Sequence, residues 1–244
     1  MAEIKPFKAV RPARDKVSLV AARSYDSYTT EQREDRLRDN PFSFLHVVNP
    51  GYKYSQVIEG EKRYNLVRNR YQEFKEDGVF MQEQSACYYI YKIVNHEGVA
   101  FTGIIAAAST QDYEKNIIRK HEDTLEYKEE IFVKYLKTVG FNAEPVLLTY
   151  PNNDALAGII SSVMQTRAEY EFTTTHRDTH YLWPVSEAPV VTEISEIFKK
   201  MPTLYIADGH HRSSSSCLLA QELAQENKNH TAKEAYNYFM SFLI

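Results

Sequence analysis

The chain has 244 residues, 43% of them apolar and 25% charged, with a formal net charge of −4. That length and balance suit a globular protein with a sizeable core, and the slight acidic excess argues against a nucleic-acid partner, which would need a basic face. Two isolated cysteines, Cys87 and Cys217, have neither disulfide nor metal-ligand spacing, and no apolar leader or membrane-length run occurs, so buried thiols, a cytoplasmic location and no membrane partner are expected.

In chain order, residues 10–12 and 17–22 predict extended segments. Thr29 and Gln32 stand at capping-box spacing and open a helix that ends before Asn40-Pro41, because a residue preceding proline avoids the helical region. Residues 44–48 predict a strand. Tyr64, Val67, Tyr71 and Phe74 recur at helical spacing within residues 61–77, and Gly78 supplies the stop. Residues 86–94 and 99–107, joined by Asn95-His96-Glu97-Gly98, predict a hairpin.

Leu125, Phe132, Leu136 and Val139 mark a second long helix ended by Gly140, with Asp123 or Thr124 as candidate caps. Residues 145–150 predict a strand, 155–165 a helix, and 170–175 with 180–184 a second hairpin. Pro189 moves the expected start of the helix within residues 187–200 to Thr192 or Glu193. Residues 236–244 predict a buried strand. With no repeat or linker, residues 1–244 are expected to form a single α+β unit, a mixed sheet flanked by helices, and the apolar ending suggests the N-terminal part of a longer protein.

Functional chemistry is densest at Leu204-Tyr205-Ile206-Ala207-Asp208-Gly209-His210-His211-Arg212-Ser213. A strand, a glycine turn and then strong helix formers aim unpaired N–H groups and a positive dipole end at one spot, which is an anion site. Arg212 offers a planar fork for phosphate, and His210 and His211 can donate to an anion or pass a proton. Ser213 keeps the first turn small. Asp208 can cap the helix or hold Mg2+ together with a phosphate. A second cluster, Arg119-Lys120-His121-Glu122-Asp123-Thr124, precedes the second long helix and lacks the His-Glu-x-x-His zinc spacing. His176 and His180 fall in strand and turn, so a structural zinc site is not expected.

These two clusters, with Asn40-Pro41-Phe42-Ser43-Phe44-Leu45-His46-Val47 and Asp178-Thr179-His180-Tyr181-Leu182-Trp183, closely resemble the bacterial and archaeal domain of unknown function (DUF) 1015. Members of that family are longer than this chain. Ser213 and Ser24 depart from its usual aromatic and proline. More distantly, the glycine loop resembles the ParB/sulfiredoxin-like superfamily, which includes nucleotide-dependent free serine kinases. That resemblance implies a core built around the strand-Asp-Gly-His-His-Arg-helix unit, with ADP or ATP and Mg2+ as cofactors and a small hydroxylated metabolite such as serine as substrate.

The same resemblance implies that Gly209, His211, Arg212 and Ser213 hold phosphates, with Asp208 and His210 beside them. It also implies that Glu122 accepts the hydroxyl proton, supported by Arg119, His121 and Thr124. His210 stands where sulfiredoxins need a cysteine, which excludes sulfur chemistry of that kind. A non-catalytic nucleotide-sensing domain and a phosphohydrolase or nuclease remain alternatives.

Overall fold

The computed structural model describes residues 1–231 and 233–244. The chain opens with the short strands β1 (Ile4–Lys5) and β2 (Val10–Pro12), followed by helices α1 (Val17–Val20), α2 (Thr30–Asp39), α3 (Leu45–Val48) and α4 (Gly60–Glu76). The capping box of α2 is formed in full: Gln32 N–H donates to Thr29 Oγ1 at 3.2 Å, and Thr29 N–H donates to Gln32 Oε1 at 3.1 Å. Two segments expected to be extended are single helical turns. At α3, His46 N–H donates to Ser43 O and Leu45 N–H to the Ser43 hydroxyl, so local partners close the turn before any strand can pair. At α1, Leu19 and Val20 N–H both donate to Lys16 O.

Strand β3 (Phe80–Gln82) pairs with β2, and β4 (Tyr88–Val94) and β5 (Ala100–Ser109) form the expected hairpin. Then come α5 (Thr110–Glu114), the two-residue β6 (Ile118–Arg119), α6 (Glu126–Val139), β7 (Val146–Thr149), α7 (Asp154–Met164) and the hairpin β8 (Tyr170–Thr173) with β9 (Thr179–Val185). Helix α8 (Ala188–Lys200) starts earlier than expected. Pro189 lies in its first turn, where the missing N–H would have had no intrahelical acceptor. Strand β10 (Leu204–Asp208), α9 (His210–Glu226) and β11 (Tyr238–Leu243) follow.

Among the described residues nine strands form one mixed sheet in the order β6-β10-β7-β11-β5-β4-β9-β8, with β1 pairing the far half of β5. The pairs β6/β10 and β7/β11 are parallel and the others antiparallel. The main core lies on one sheet face, where Ile90, Ile104, Leu148, Leu204, Ile206 and Phe239 meet Leu156 of α7 and Ile194 and Phe198 of α8. Each such fully buried side chain stabilises the fold by about 1.5–3 kcal/mol relative to exposure. A second core joins Val67 and Phe74 of α4, Phe80 of β3 and Val139 of α6. Helix α6 therefore packs on α4 on one side and on α9 on the other. Among the described residues, no helix is long and apolar enough to cross a membrane.

Candidate functional site

The two sequence clusters meet because β6 and β10 run parallel, with Ile118 opposite Leu204 and Arg119 opposite Tyr205. The chains leaving their carboxyl ends, Lys120-His121-Glu122-Asp123 and Gly209-His210-His211-Arg212, therefore emerge side by side. Carboxyl ends of strands next to a helix start are where open α/β sheets take ligands. Strand β7 runs antiparallel to β10, which brings its leading residues Glu144 and Pro145 to the same corner.

The loop itself is tightly specified. The register slips between Ile206 and Asp208, and Gly209 then takes φ 96°, ψ 31°. A Cβ built at Gly209 would lie 3.3 Å from Arg212 Nη1 and 3.4 Å from Val146 Cα. Ser213 N–H donates to Gly209 O at 3.0 Å, closing the first turn of α9. The N–H groups of His210, His211 and Arg212 have no acceptor among the described residues, so they and the helix dipole are free for an anion. Asp208 does not cap the helix: no side chain does, and its carboxylate pairs with Arg212 at 3.1 Å instead.

His210 is buried, with 6% of its surface exposed. Its Nδ1 lies 3.5 Å from Glu122 Oε2, and its ring meets that of His121 edge-on at 4.5 Å between centroids. Its Nε2 is enclosed and has no hydrogen-bond partner among the described residues. Burial, and then repulsion from His121, lower the His210 pKa below 6.5, against the opposing pull of Glu122 and Asp208. The deprotonated imidazole is therefore favoured near neutrality. Glu122 and His121 are exposed.

His211 is half-buried, and its Nδ1 is enclosed with no hydrogen-bond partner among the described residues. Near it lies Glu129, in the first turn of α6, which accepts hydrogen bonds from the hydroxyls of Ser214 and Thr124. Burial pushes the Glu129 carboxyl up, but those two hydrogen bonds and the charges of His211 and Lys120 outweigh it, and the net shift is downward. Thr124 is thus tied to α6 as expected, but by bonding a carboxylate inside the helix. Neither it nor Asp123 is the cap, a position held by Leu125.

Arg212 donates to Pro145 O and to Asp208, with Glu144 at 3.6 Å, so its charge is already met by two carboxylates. Ser213 is fully buried, and its hydroxyl donates to Gly209 O at 3.3 Å and His210 O at 3.0 Å. That hydroxyl is turned into the helix, away from any ligand at the loop. The serine run packs α9 closely against α6: Ser214 reaches the Glu129 carboxylate, and the Ser215 hydroxyl lies 3.4 Å from Glu129 O. Arg119 stacks over Tyr205 at 6.0 Å and Lys120 over Tyr113 at 4.9 Å. A groove of about 680 Å3, walled by Tyr113, Asn116, Leu218 and Gln221, opens beside the cluster and shares Lys120 and Ser214 with it.

Sequence reasoning missed Glu129 and Glu144. Glu129 carries a weak local signal, an acid in a helix first turn opposite a serine run. Glu144 carries none, since only the β7/β10 pairing brings it in. His121 and Glu122 lie beside the glycine loop as expected, but the sequence did not show that they and His210 offer one ligand atom each within 4.8 Å of one another.

A family model described as "Protein of unknown function (DUF1015)" matches residues 4–244. No curated protein and no solved structure matches the chain.

Proposed function

Because the chain belongs to the DUF1015 family, whose description carries no activity, we propose its function from the site alone: nucleotide-dependent transfer of a phosphoryl group to a small hydroxylated metabolite, with free serine the first to test. The observation that carries this reading is the Glu122 carboxylate 3.5 Å from His210 Nδ1, beside three unused N–H groups at the start of α9. A proton acceptor and an anion cradle sharing one corner are what phosphoryl transfer asks of a protein, because positioning and charge dominate that chemistry.

In this scheme Glu122 takes the proton of the acceptor hydroxyl, with neutral His210 behind it able to share that proton. The acceptor oxygen forms a bond to the terminal phosphorus. The bond from that phosphorus to its bridging oxygen breaks, and the electron pair leaves with the shortened nucleotide. The His210, His211 and Arg212 N–H groups meet the charge on the transferred group. The groove beside Lys120 has room for a small acceptor. The resemblance of the loop to the ParB/sulfiredoxin-like superfamily, with its free serine kinases, supports the same reading.

The expected cofactors fit unequally. Nucleotide phosphates suit the free N–H groups. Mg2+ at Asp208 fits poorly, because that carboxylate already holds the Arg212 guanidinium, and a second cation there meets its repulsion. Incubation with ADP or ATP, a divalent cation and serine should yield phosphoserine. Glu122→Gln should lower turnover by about 10²–10⁴-fold with nucleotide affinity kept. Failure of any nucleotide to bind at millimolar concentration rejects the class, and absence of phosphoserine rejects the acceptor. A phosphohydrolase is the second reading, favoured by the 66% exposure of the Glu122 side chain, which lets water compete as acceptor. It is recognised by phosphate release without serine.

A further inference from the structure

We propose that His121, Glu122 and His210 form a three-ligand site for a divalent transition-metal ion of the zinc type. Two imidazoles and one carboxylate are the donor set that borderline ions such as Zn2+ and Co2+ select, whereas Mg2+ prefers oxygen ligands. Two ligands on a tetrahedral zinc, each about 2.0–2.1 Å from it, lie about 3.4 Å apart. His210 Nδ1 and Glu122 Oε2 are already separated by 3.5 Å. The whole set spans no more than 4.8 Å, and the two exposed members, His121 and Glu122, have the freedom to close the remaining gap of about 1.4 Å.

The third member supplies rigidity. His210 is the first residue of α9, 6% exposed, held where the helix packs between α5 and α6. Its Nδ1 faces the Glu122 oxygen, and the His121 ring stands edge-on to it at 4.5 Å between centroids. An ion among them would take a lone pair from each ring and be balanced by the Glu122 charge. The Arg212 guanidinium does not compete, because it is engaged by Asp208 and Glu144. Three protein ligands, two of them on exposed residues, leave positions for water or a phosphate oxygen, as in catalytic rather than structural zinc sites.

This inference stands on ligand geometry and not on the phosphotransfer reading. It does change what Glu122 does in the loaded protein. As a ligand it would be a weaker base, and the ion would supply acidity instead, lowering the pKa of a hydroxyl bound to it so that solvent water could take the proton. The test is titration of chelator-stripped protein with Zn2+ by calorimetry, with Co2+ absorption reporting nitrogen ligation. One ion should bind per chain. His121→Ala and Glu122→Gln should each weaken binding about tenfold or more, while His96→Ala, at an exposed turn, should not.

Zn2+ should also raise the melting temperature of the wild type and do so less for the two ligand variants. Both replaced side chains are exposed, so the variants should melt cooperatively without metal. Binding that is unchanged in His121→Ala and Glu122→Gln, or equally lowered by His96→Ala, overturns the proposal. So does Mg2+ binding in preference to Zn2+. Nucleotide titration of the stripped protein separates the two ideas: nucleotide bound with no zinc effect sinks only the metal site, and zinc bound without nucleotide sinks only phosphotransfer.

Discussion

Replacing Gly209 with alanine tests whether the loop geometry is enforced by its surroundings. Gly209 and Gly140 both sit at positive φ, 96° and 80°, and both adjoin a helix end. Placing a side chain in the left-handed region costs about 1–2 kcal/mol at either position. Stiffening of the unfolded chain acts alike on both, so it cancels in their difference. Only at Gly209 does the new Cβ meet neighbours, Arg212 Nη1 at 3.3 Å and Val146 Cα at 3.4 Å, whereas nothing lies within 4 Å at Gly140. The guanidinium can swing, but the Val146 backbone is held in the sheet, so crowding should add about 1 kcal/mol.

Gly209→Ala should therefore melt about 2–4 °C below Gly140→Ala for a chain of this size. Part of that gap should close in an Arg212→Ala background, because Arg212 supplies the nearest atom; residues in contact couple by about 0.5 kcal/mol or more. Urea denaturation of the four variants measures both effects. If Gly209→Ala is as stable as Gly140→Ala, the loop is not packed as described, and the orientation of its free N–H groups loses its support.

Phe198→Ala, at a fully buried ring that meets Tyr150 edge-on at 5.4 Å, should cost about 3–5 kcal/mol, read as a lower urea midpoint with an unchanged slope. Burial pushes the Cys217 thiol up to about 12, helped by its hydrogen bond to Glu114, and burial also raises Cys87. Neither should therefore react with a thiol reagent at pH 8 until urea is added, and native-state labelling of either would contradict this. His180 bonds Tyr91 at 2.7 Å and stacks on Phe172, and burial lowers its pKa below 6.5 against the pull of Asp178. The unfolded state binds that proton more readily, so this contribution is full above about pH 6.5 and is lost as pH falls through the lowered value. His180→Gln should flatten the decline in melting temperature between pH 7 and 5, and an unaltered slope would count against it.

Elements whose partners are local could be read directly. The Thr29–Gln32 box, the Asn95-His96-Glu97-Gly98 turn, α4 and the β10–Gly209–α9 unit carry their own periodicity and turn chemistry, and all stand where expected. Residues 44–48 misled because their β-branched composition was outweighed by the Ser43 carbonyl and hydroxyl closing a turn. Pro189 misled because position within the first turn decides whether proline breaks a helix. Within the site, the glycine loop was evident from its residues. The nearness of Glu122 was a guess by likeness, since it depends on two-residue β6 pairing with β10, and two residues show no alternation. The serine run had a packing role that no local pattern reveals, as its partner Glu129 is distant in sequence.

The place of β11 has a consequence for how the molecule comes together. It follows the sheet's other described strands in sequence, yet it lies between β7 and β5, bonded on both sides. Without it, β6-β10-β7 and β5-β4-β9-β8 are separate ribbons that share no strand pairing among the described residues. On the ribosome the corner carrying Glu122 and His210 would therefore wait, with sheet edges open, until Tyr238–Leu243 clears the exit tunnel. Pairings this distant are slow to form, and open edges invite wrong partners. Chains truncated before Tyr238 should accumulate as aggregates rather than as a smaller working protein.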